Sequence, residues 1–300
     1  MCCDRLKIGA TSAHPAVVKR ISQKIGKQWW TLYAIAAAIG ISGTNQLYAQ
    51  QPATTGAFNQ YVTAAEARIN KDRNSSLLRL ESLNPFERTA VVRRIRAGEI
   101  VIEKQGNIPE QIPNGLIHDW VGTVFIPNAP VDRVIALVRD YNHTANYYAP
   151  DVVQSRLISA NGDDLRVFMR LRKHKVVTAV LDTEYDVHYG RFDADHQYSV
   201  SRSTRVSEIV DPGTPTEHPL PSGQDHGFMW RLNSYWAFEQ TKGGVFVQCE
   251  AISLTRDIPS GLGWVIGPFV NSIPRESLEF TLNATRTAVE GKESASKNHE

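Results

Sequence analysis

Apolar positions repeat along this chain with two periods, and the switches between them predict its elements. From Val152 to Arg256 alternation dominates, as in half-buried strands. VVQSRLISA, LRVFMRLRK, KVVTAVLDTEYDVHY, YSVSRSTRVSEIV, HGFMWRLNSYWAFEQ and VFVQCEAISLTRD read as six strands. NGDD, the KHK corner, DADHQ, a Pro/Gly-rich loop over 211–226 and TKGG separate them as hairpin and loop signals. Upstream, LIHDWVGTVFI is a further strand, broken by PNAP. Helical spacing follows Pro130, with Val131, Val134, Ile135 and Val138 on one stripe. A short second helix around YNHTANYYAP ends at Pro150. Near the C-terminus, Pro274 opens a long helix, RESLEFTLNATRTAV. Leu278, Leu282, Thr285 and Val289 make one face of it, with Phe280 beside them.

The N-terminal part is less regular. Residues 50–57 read as a loose start, and Phe58 to about Lys71 is weakly helical. A clearer helix begins after Asn84, which can cap, with Pro85 suited to the first turn and Glu87 placed as in a capping box. Val91, Val92 and Ile95 form its stripe, and Gly98 ends it. GEIVIEKQG is a short strand. The run NIPEQIPNG then separates an N-terminal helical extension, 50–115, from a main domain, 116–290, and GKESASKNHE is a frayed tail, 291–300.

The order of the main domain is strand, two helices, six strands, long helix. Strands joined by short loops form an antiparallel meander. A sheet that long must curl or be covered, and a helix with one apolar face must bury that face. The expected fold is α+β: a helix-grip arrangement, with a curved antiparallel sheet wrapped around a long C-terminal helix and an apolar cavity between them.

In this organisation the chain resembles the START-like superfamily, the SRPBCC or Bet v 1-like group that includes polyketide cyclase-type and coenzyme Q-binding-type proteins. It is most similar to exported bacterial members. The residues that carry the resemblance are the opening strand and helix pair from Trp120 to Pro150, the paired strands WRLNSYWAFEQTKGGVFVQCEAISLTRDIP, and the end helix SIPRESLEFTLNATRTAV. The resemblance implies a pocket for a lipid, isoprenoid, polyketide or similar molecule. It does not settle whether that pocket binds or catalyses, since one fold hosts both.

Composition is that of an ordinary soluble protein, 42% hydrophobic and 21% charged. Charge alters the picture. Residues 1–49 hold Arg5, Lys7, Lys19, Arg20, Lys24 and Lys27 against Asp4 alone. The short apolar run WWTLYAIAAAIGI follows, then small and polar residues up to Ala49. A basic region, a short apolar core and a small residue are the parts of a signal peptide, so the mature domain is expected outside the cytoplasm, periplasmic or extracellular. Without that leader, 27 basic residues face 30 acidic ones. That balance argues against nucleic-acid binding, which wants a basic surface. Cys2 and Cys3 leave with the leader. Cys249, in a strand, reads as a small buried hydrophobe.

The last hairpin carries the strongest local signal. With TKGG as the turn, Gln240 faces Val245, Phe238 faces Val247, Trp236 faces Cys249, Ser234 faces Ala251, Leu232 faces Ser253 and Trp230 faces Thr255. Large side chains opposite small ones leave room for rings. The stripe Phe228, Trp230, Leu232, Trp236, Phe238 is either a pocket wall or plain core under the long helix. The other face carries Arg231, Asn233, Tyr235, Gln248 and Glu250, with Tyr235 opposite Glu250. Turned inward it orients a ligand head group; turned outward it is a solvated row. Arg202, Arg205, Asp182 and Glu184 are candidates to join it.

DIPSGLGWVIGPFVNSIP is read as a glycine-jointed apolar loop near the cavity mouth. Trp264 and Phe269 are candidate ligand or membrane-surface contacts there, and Tyr147 and Tyr148 candidates on the opposite lip. His118, His143, His174, His188, His196, His218 and His226 show no metal-ligand spacing, and no phosphate loop, nucleophile elbow or paired-cysteine motif occurs, so neither metal nor cofactor is expected.

Three functions remain open. One is a pocket that binds or carries a hydrophobic small molecule. Another is a cyclase or hydrolase using that pocket, with Glu250, Tyr235 or Asp182 as acid or base. The third is an envelope interaction module built on the extension and the apolar loop, its protein partner unspecified.

Overall fold

The computed structural model describes residues 52–75, 79–106, 110–175, 178–221, 223–258 and 263–291. The expected signal peptide and most of the expected tail lie outside them. Helix α1 spans Pro52–Ser75, a 3-10 turn spans Arg79–Ser82, and α2 spans Pro85–Arg96. Strands β1 (Val101–Lys104), β2 (Glu110–Ile112) and β3 (Gly115–Pro127) follow, then α3 (Val131–Arg139) and α4 (Thr144–Tyr147). The meander is β4 (Val152–Asn161), β5 (Asp164–His174), β6 (Thr178–Arg191), β7 (His196–Val210), the two-residue β8 (His218–Pro219), β9 (Arg231–Thr241) and β10 (Gly244–Arg256). Helix α5 closes the order at Gly263–Val289.

Local chemistry accounts for several boundaries. The Asn84 side chain accepts from the backbone N–H groups of Phe86 and Glu87, filling two of the donors that a helix start leaves unpaired. Gly98 follows the helix at φ 99°, a left-handed conformation that glycine adopts without cost. Gly244 closes the last hairpin at φ 151°, where an added Cβ would lie 2.2 Å from the Ile126 carbonyl oxygen.

The strands form one antiparallel sheet in the order β1-β3-β10-β9-β7-β6-β5-β4, with β2 on β3 and β8 on β7. The first strand of the main domain therefore pairs with the last, Val124 opposite Val247 and Gly122 opposite Cys249. The β9–β10 register is the expected one from Gln240–Val245 to Leu232–Ser253.

Pleating gives the sheet two faces, and both are covered. On the inner face, Val124, Ile126, Phe238, Val245, Val247 and Cys249 pack against Leu278, Leu282 and Val289 of α5 and Val131 and Val134 of α3. Cys249 is the expected buried hydrophobe, and burial pushes its thiol up. The inner face continues over β5 and β6, where Leu165, Val167, Tyr185, Val187 and Tyr189 meet Tyr141. On the outer face, α1 covers Ile117, Ile252, Leu254 and Tyr235 with Phe58, Val62 and Ala65. There α2 covers Phe125, Ala237 and Phe246 with Ile95.

Three expectations change. The loose start at 50–57 is helical from Pro52, anchored where the Thr54 hydroxyl donates to the Pro113 carbonyl at 2.7 Å. The extension is not a separate block, because β1 and β2 both hydrogen-bond β3. The glycine-jointed segment read as a loop is helix from Gly263, eleven residues before the expected start, and the helix runs on through Pro274. Glycine lowers helix propensity without forbidding a helix, and an interior proline removes a single backbone bond.

Candidate functional site

The expected site residues divide between the two faces. Leu232, Trp236 and Phe238 lie on the inner face. Phe238 is fully buried, and its ring stacks on Trp236 with centroids 6.0 Å apart. Trp236 and Leu232 are only half-buried, as are Trp120 and Met169 of the neighbouring inner-face strands. Small residues surround them: Ser234 faces Ala251 across the hairpin and Ser201 across the β7 ladder, while Trp236 faces Cys249 and Ser199. The indole N–H of Trp120 is buried and has no hydrogen-bond partner. His118, 1% exposed, pairs with the Thr255 hydroxyl at 3.1 Å, and burial drives its pKa down to about 4, so it is neutral.

Tyr148 joins this face. It is buried, and its hydroxyl meets that of Thr285 on α5 at 2.9 Å. Deeper in, the Tyr141 and Tyr189 hydroxyls lie 2.8 Å apart, and Tyr189 donates to the Val138 carbonyl at 3.0 Å. Tyr147 differs: its hydroxyl donates to Asp140 at 3.0 Å, beside His143. The side chains of Trp264 and Phe269 lie outside the described residues, although both positions fall in α5.

Trp230 corrects the expected stripe. It packs on the outer face with Ile117, Leu254 and α1, and its indole N–H donates to Asp225 at 2.6 Å. Alternation fails because β9 begins only at Arg231, so the preceding residues are not bound to the pleat. Arg231 is half-buried and donates to the Trp230 carbonyl at 2.9 Å. His226 and Asp225, noted as loop residues, hold this corner, with His226 Nδ1 2.6 Å from Glu208.

The polar face of the last hairpin turns outward, yet it is not solvated, because α1 lies on it. Glu250 is 3% exposed and receives Arg68 of α1 at 2.5 Å. Asp119 is fully buried on the adjacent strand. It accepts from Tyr61 at 3.0 Å, and its second oxygen has no hydrogen-bond partner. Tyr235, opposite Glu250, donates to Glu66 of α1 at 2.8 Å, and Arg202 holds the same carboxylate at 2.7 Å. Burial and the neighbouring Glu250 charge raise the Asp119 pKa to about 8. Asp119 therefore keeps its proton at neutral pH. Sequence reasoning missed Asp119 and Arg68 because nothing in the pattern places α1 against this face.

Of the other candidates, Arg202 joins the cluster. Asp182 instead pairs with Arg170 at 2.6 Å, and Glu184 with Arg205 at 2.7 Å. Neither Glu250 nor Asp182 faces α5, so the carboxylates nominated as acid or base do not reach the inner face. Among the described residues, no three metal-ligating side chains converge.

No family model and no curated protein matches the chain. Solved structures similar to it include a Thermus thermophilus protein (16% identity, 58% of this chain and 98% of that one, TM-score 0.42). A STAR-related lipid transfer protein from Xanthomonas axonopodis aligns at 20% identity over 64% and 98% of the two chains, TM-score 0.40. The Zhui aromatase/cyclase of a Streptomyces species aligns at 15% identity over 61% and 99%, TM-score 0.38. One strand, two short helices, a meander whose last strand returns beside the first, and a long helix held on the inner face make this an α+β helix-grip fold.

Proposed function

We propose that the inner face, beneath α5, binds a hydrophobic small molecule of the lipid, isoprenoid or polyketide-like class, and that the protein does so after export from the cytoplasm. The observation that carries the reading is the combination at Trp120 and Trp236. Both are large aromatics on the helix side and both are half-buried, and the residues opposite them are small, Ala251 across from Trp120 and Cys249 and Ser199 across from Trp236. Binding sites for such molecules are mostly apolar with a few placed polar groups. Here those groups are the unpartnered Trp120 N–H and the hydroxyls of Ser199, Ser201 and Ser234. The export half rests on the basic and apolar pattern of residues 1–49. No helix among the described residues is long and apolar enough to cross a membrane.

Native mass spectrometry of the chain purified from a bacterial envelope tests the reading against a denatured, solvent-extracted sample. The expected result is a reproducible non-covalent mass of lipid class. Ala251→Phe, which places a ring opposite Ser234 and Trp120, is expected to lose that mass while keeping its circular dichroism spectrum. A clean unliganded mass for the wild type, or equal retention by Ala251→Phe, overturns it.

A further inference from the structure

We infer that the groove under α2, on the outer face of the sheet, is a second binding site whose ligand is a single-chain anionic amphiphile, a carboxylate on an apolar tail. The site lies on the opposite side of the sheet from α5 and stands independently of the inner-face reading.

The groove is open to the surface and has a volume of about 770 Å³, within the range of small-molecule sites. Its floor is apolar, made by Leu80, Leu83, Val92 and Phe246. Leu83 and Val92 keep part of their surface accessible. Its rim is cationic. Arg88, Arg93 and Arg96 line it from a single helix, and Glu239 is the one acid among the described lining residues. Burial pushes the Glu239 carboxyl up, toward its neutral form.

Arg96 is held in place. Its guanidinium lies 4.4 Å from the Phe125 ring centroid and 4.9 Å from that of Phe246, and it donates to the Thr241 hydroxyl at 3.1 Å. A fixed guanidinium on an aromatic floor presents its edge as a preorganised carboxylate receptor. Arg93 and Arg96, one turn apart on this helix, repel as like charges, and a bound anion relieves that repulsion. An apolar trough beneath a cationic rim is complementary to a molecule with a hydrocarbon tail and one negative head. A neutral lipid leaves the rim unused, and a small inorganic anion leaves the floor exposed.

The test titrates the full chain with dansyl-labelled undecanoic acid and with its uncharged methyl ester, reading dansyl fluorescence. The acid is expected to bind saturably and about tenfold tighter than the ester. The double variant Arg88→Gln/Arg93→Gln is expected to weaken the acid about tenfold and leave the ester unchanged. Val92→Asp is expected to weaken both. Ala251→Phe, on the inner face, is expected to leave acid binding intact. Thermal melts establish that each variant is folded. Equal affinity for acid and ester, or insensitivity to the arginine changes, overturns the inference. So does loss of acid binding in Ala251→Phe, which places the probe under α5. A parallel co-sedimentation with phosphatidylglycerol vesicles separates the sources: vesicle binding without binding of the monomeric acid also overturns the groove.

Discussion

Arg68→Ala is expected to destabilise the fold by about 3 kcal/mol at neutral pH, because it strips the cation from a buried acidic pair. Breaking a buried ion pair costs about 3–5 kcal/mol, and the partial exposure of Arg68, 34% at its side chain, places the effect at the low end. Glu250 would then lose the guanidinium that both its oxygens accept from, while Asp119 keeps the Tyr61 hydroxyl as a donor. The same pair makes stability fall as pH rises. The Asp119 pKa is about 8 in the fold against an ordinary 3.8. Its contribution is complete below about pH 4 and is lost as pH climbs through 8, because over that window the folded state keeps a proton that the unfolded chain releases. His118 works from the other side. Its pKa is about 4 against 6.5, so its contribution is present above 6.5 and lost as pH falls through 4.

Urea unfolding at pH 6 and pH 9 measures this. The wild type is expected to lose about 3 kcal/mol between them, roughly 1.4 kcal/mol per pH unit while the Asp119 proton is held. Asp119→Asn reproduces the protonated carboxyl, with an amide able to donate to Glu250 and a carbonyl to accept from Tyr61. It is expected to flatten the profile and to exceed the wild type at pH 9. Parallel pH profiles for the wild type and Asp119→Asn would show that the pair does not titrate as described.

The second large effect lies at the grip itself. Leu282 is fully buried, and Leu282→Ala is expected to cost about 3 kcal/mol. Beneath it sits Gly122, where an added Cβ would lie 2.4 Å from Leu282 Cδ1 and 3.2 Å from Leu278 Cδ2. Gly122→Ala forces the leucine off its position, at a cost of about 1–3 kcal/mol. The double variant exchanges the sizes, with the new methyl group entering the space the leucine leaves. It is expected to be more stable than the two losses added together by at least about 1 kcal/mol. Simple additivity in a double-mutant cycle would mean that α5 does not close on the sheet at Gly122.

Much of this architecture was legible as a sequence. Period-two alternation from Val152 to Arg256 gave the strands within a few residues, because each strand has one buried face and the pleat makes burial alternate. The register of the last hairpin followed from one turn, since TKGG fixes which residues oppose which. The α2 start at Asn84 and Pro85 followed from capping chemistry, which is local. These features depend on neighbours a few residues apart.

What tertiary structure decided was which side each face turned to and what covered it. Tyr235 and Glu250 were placed opposite each other correctly, but the sequence offered only solvent or pocket for them. The answer was α1, a polar helix whose partners lie as much as 182 positions away, as Arg68 does from Glu250. Trp230 left its expected stripe because the strand begins only at Arg231, after the corner where His226 meets Glu208 and Trp230 donates to Asp225. The segment around Trp264 became helix despite its glycines and prolines. Periodicity reports that a face is buried, and it carries no term for the identity of the surface that buries it. That identity depends on contacts between distant segments, and so Asp119, Arg68 and the α2 groove emerged only once the chain was folded.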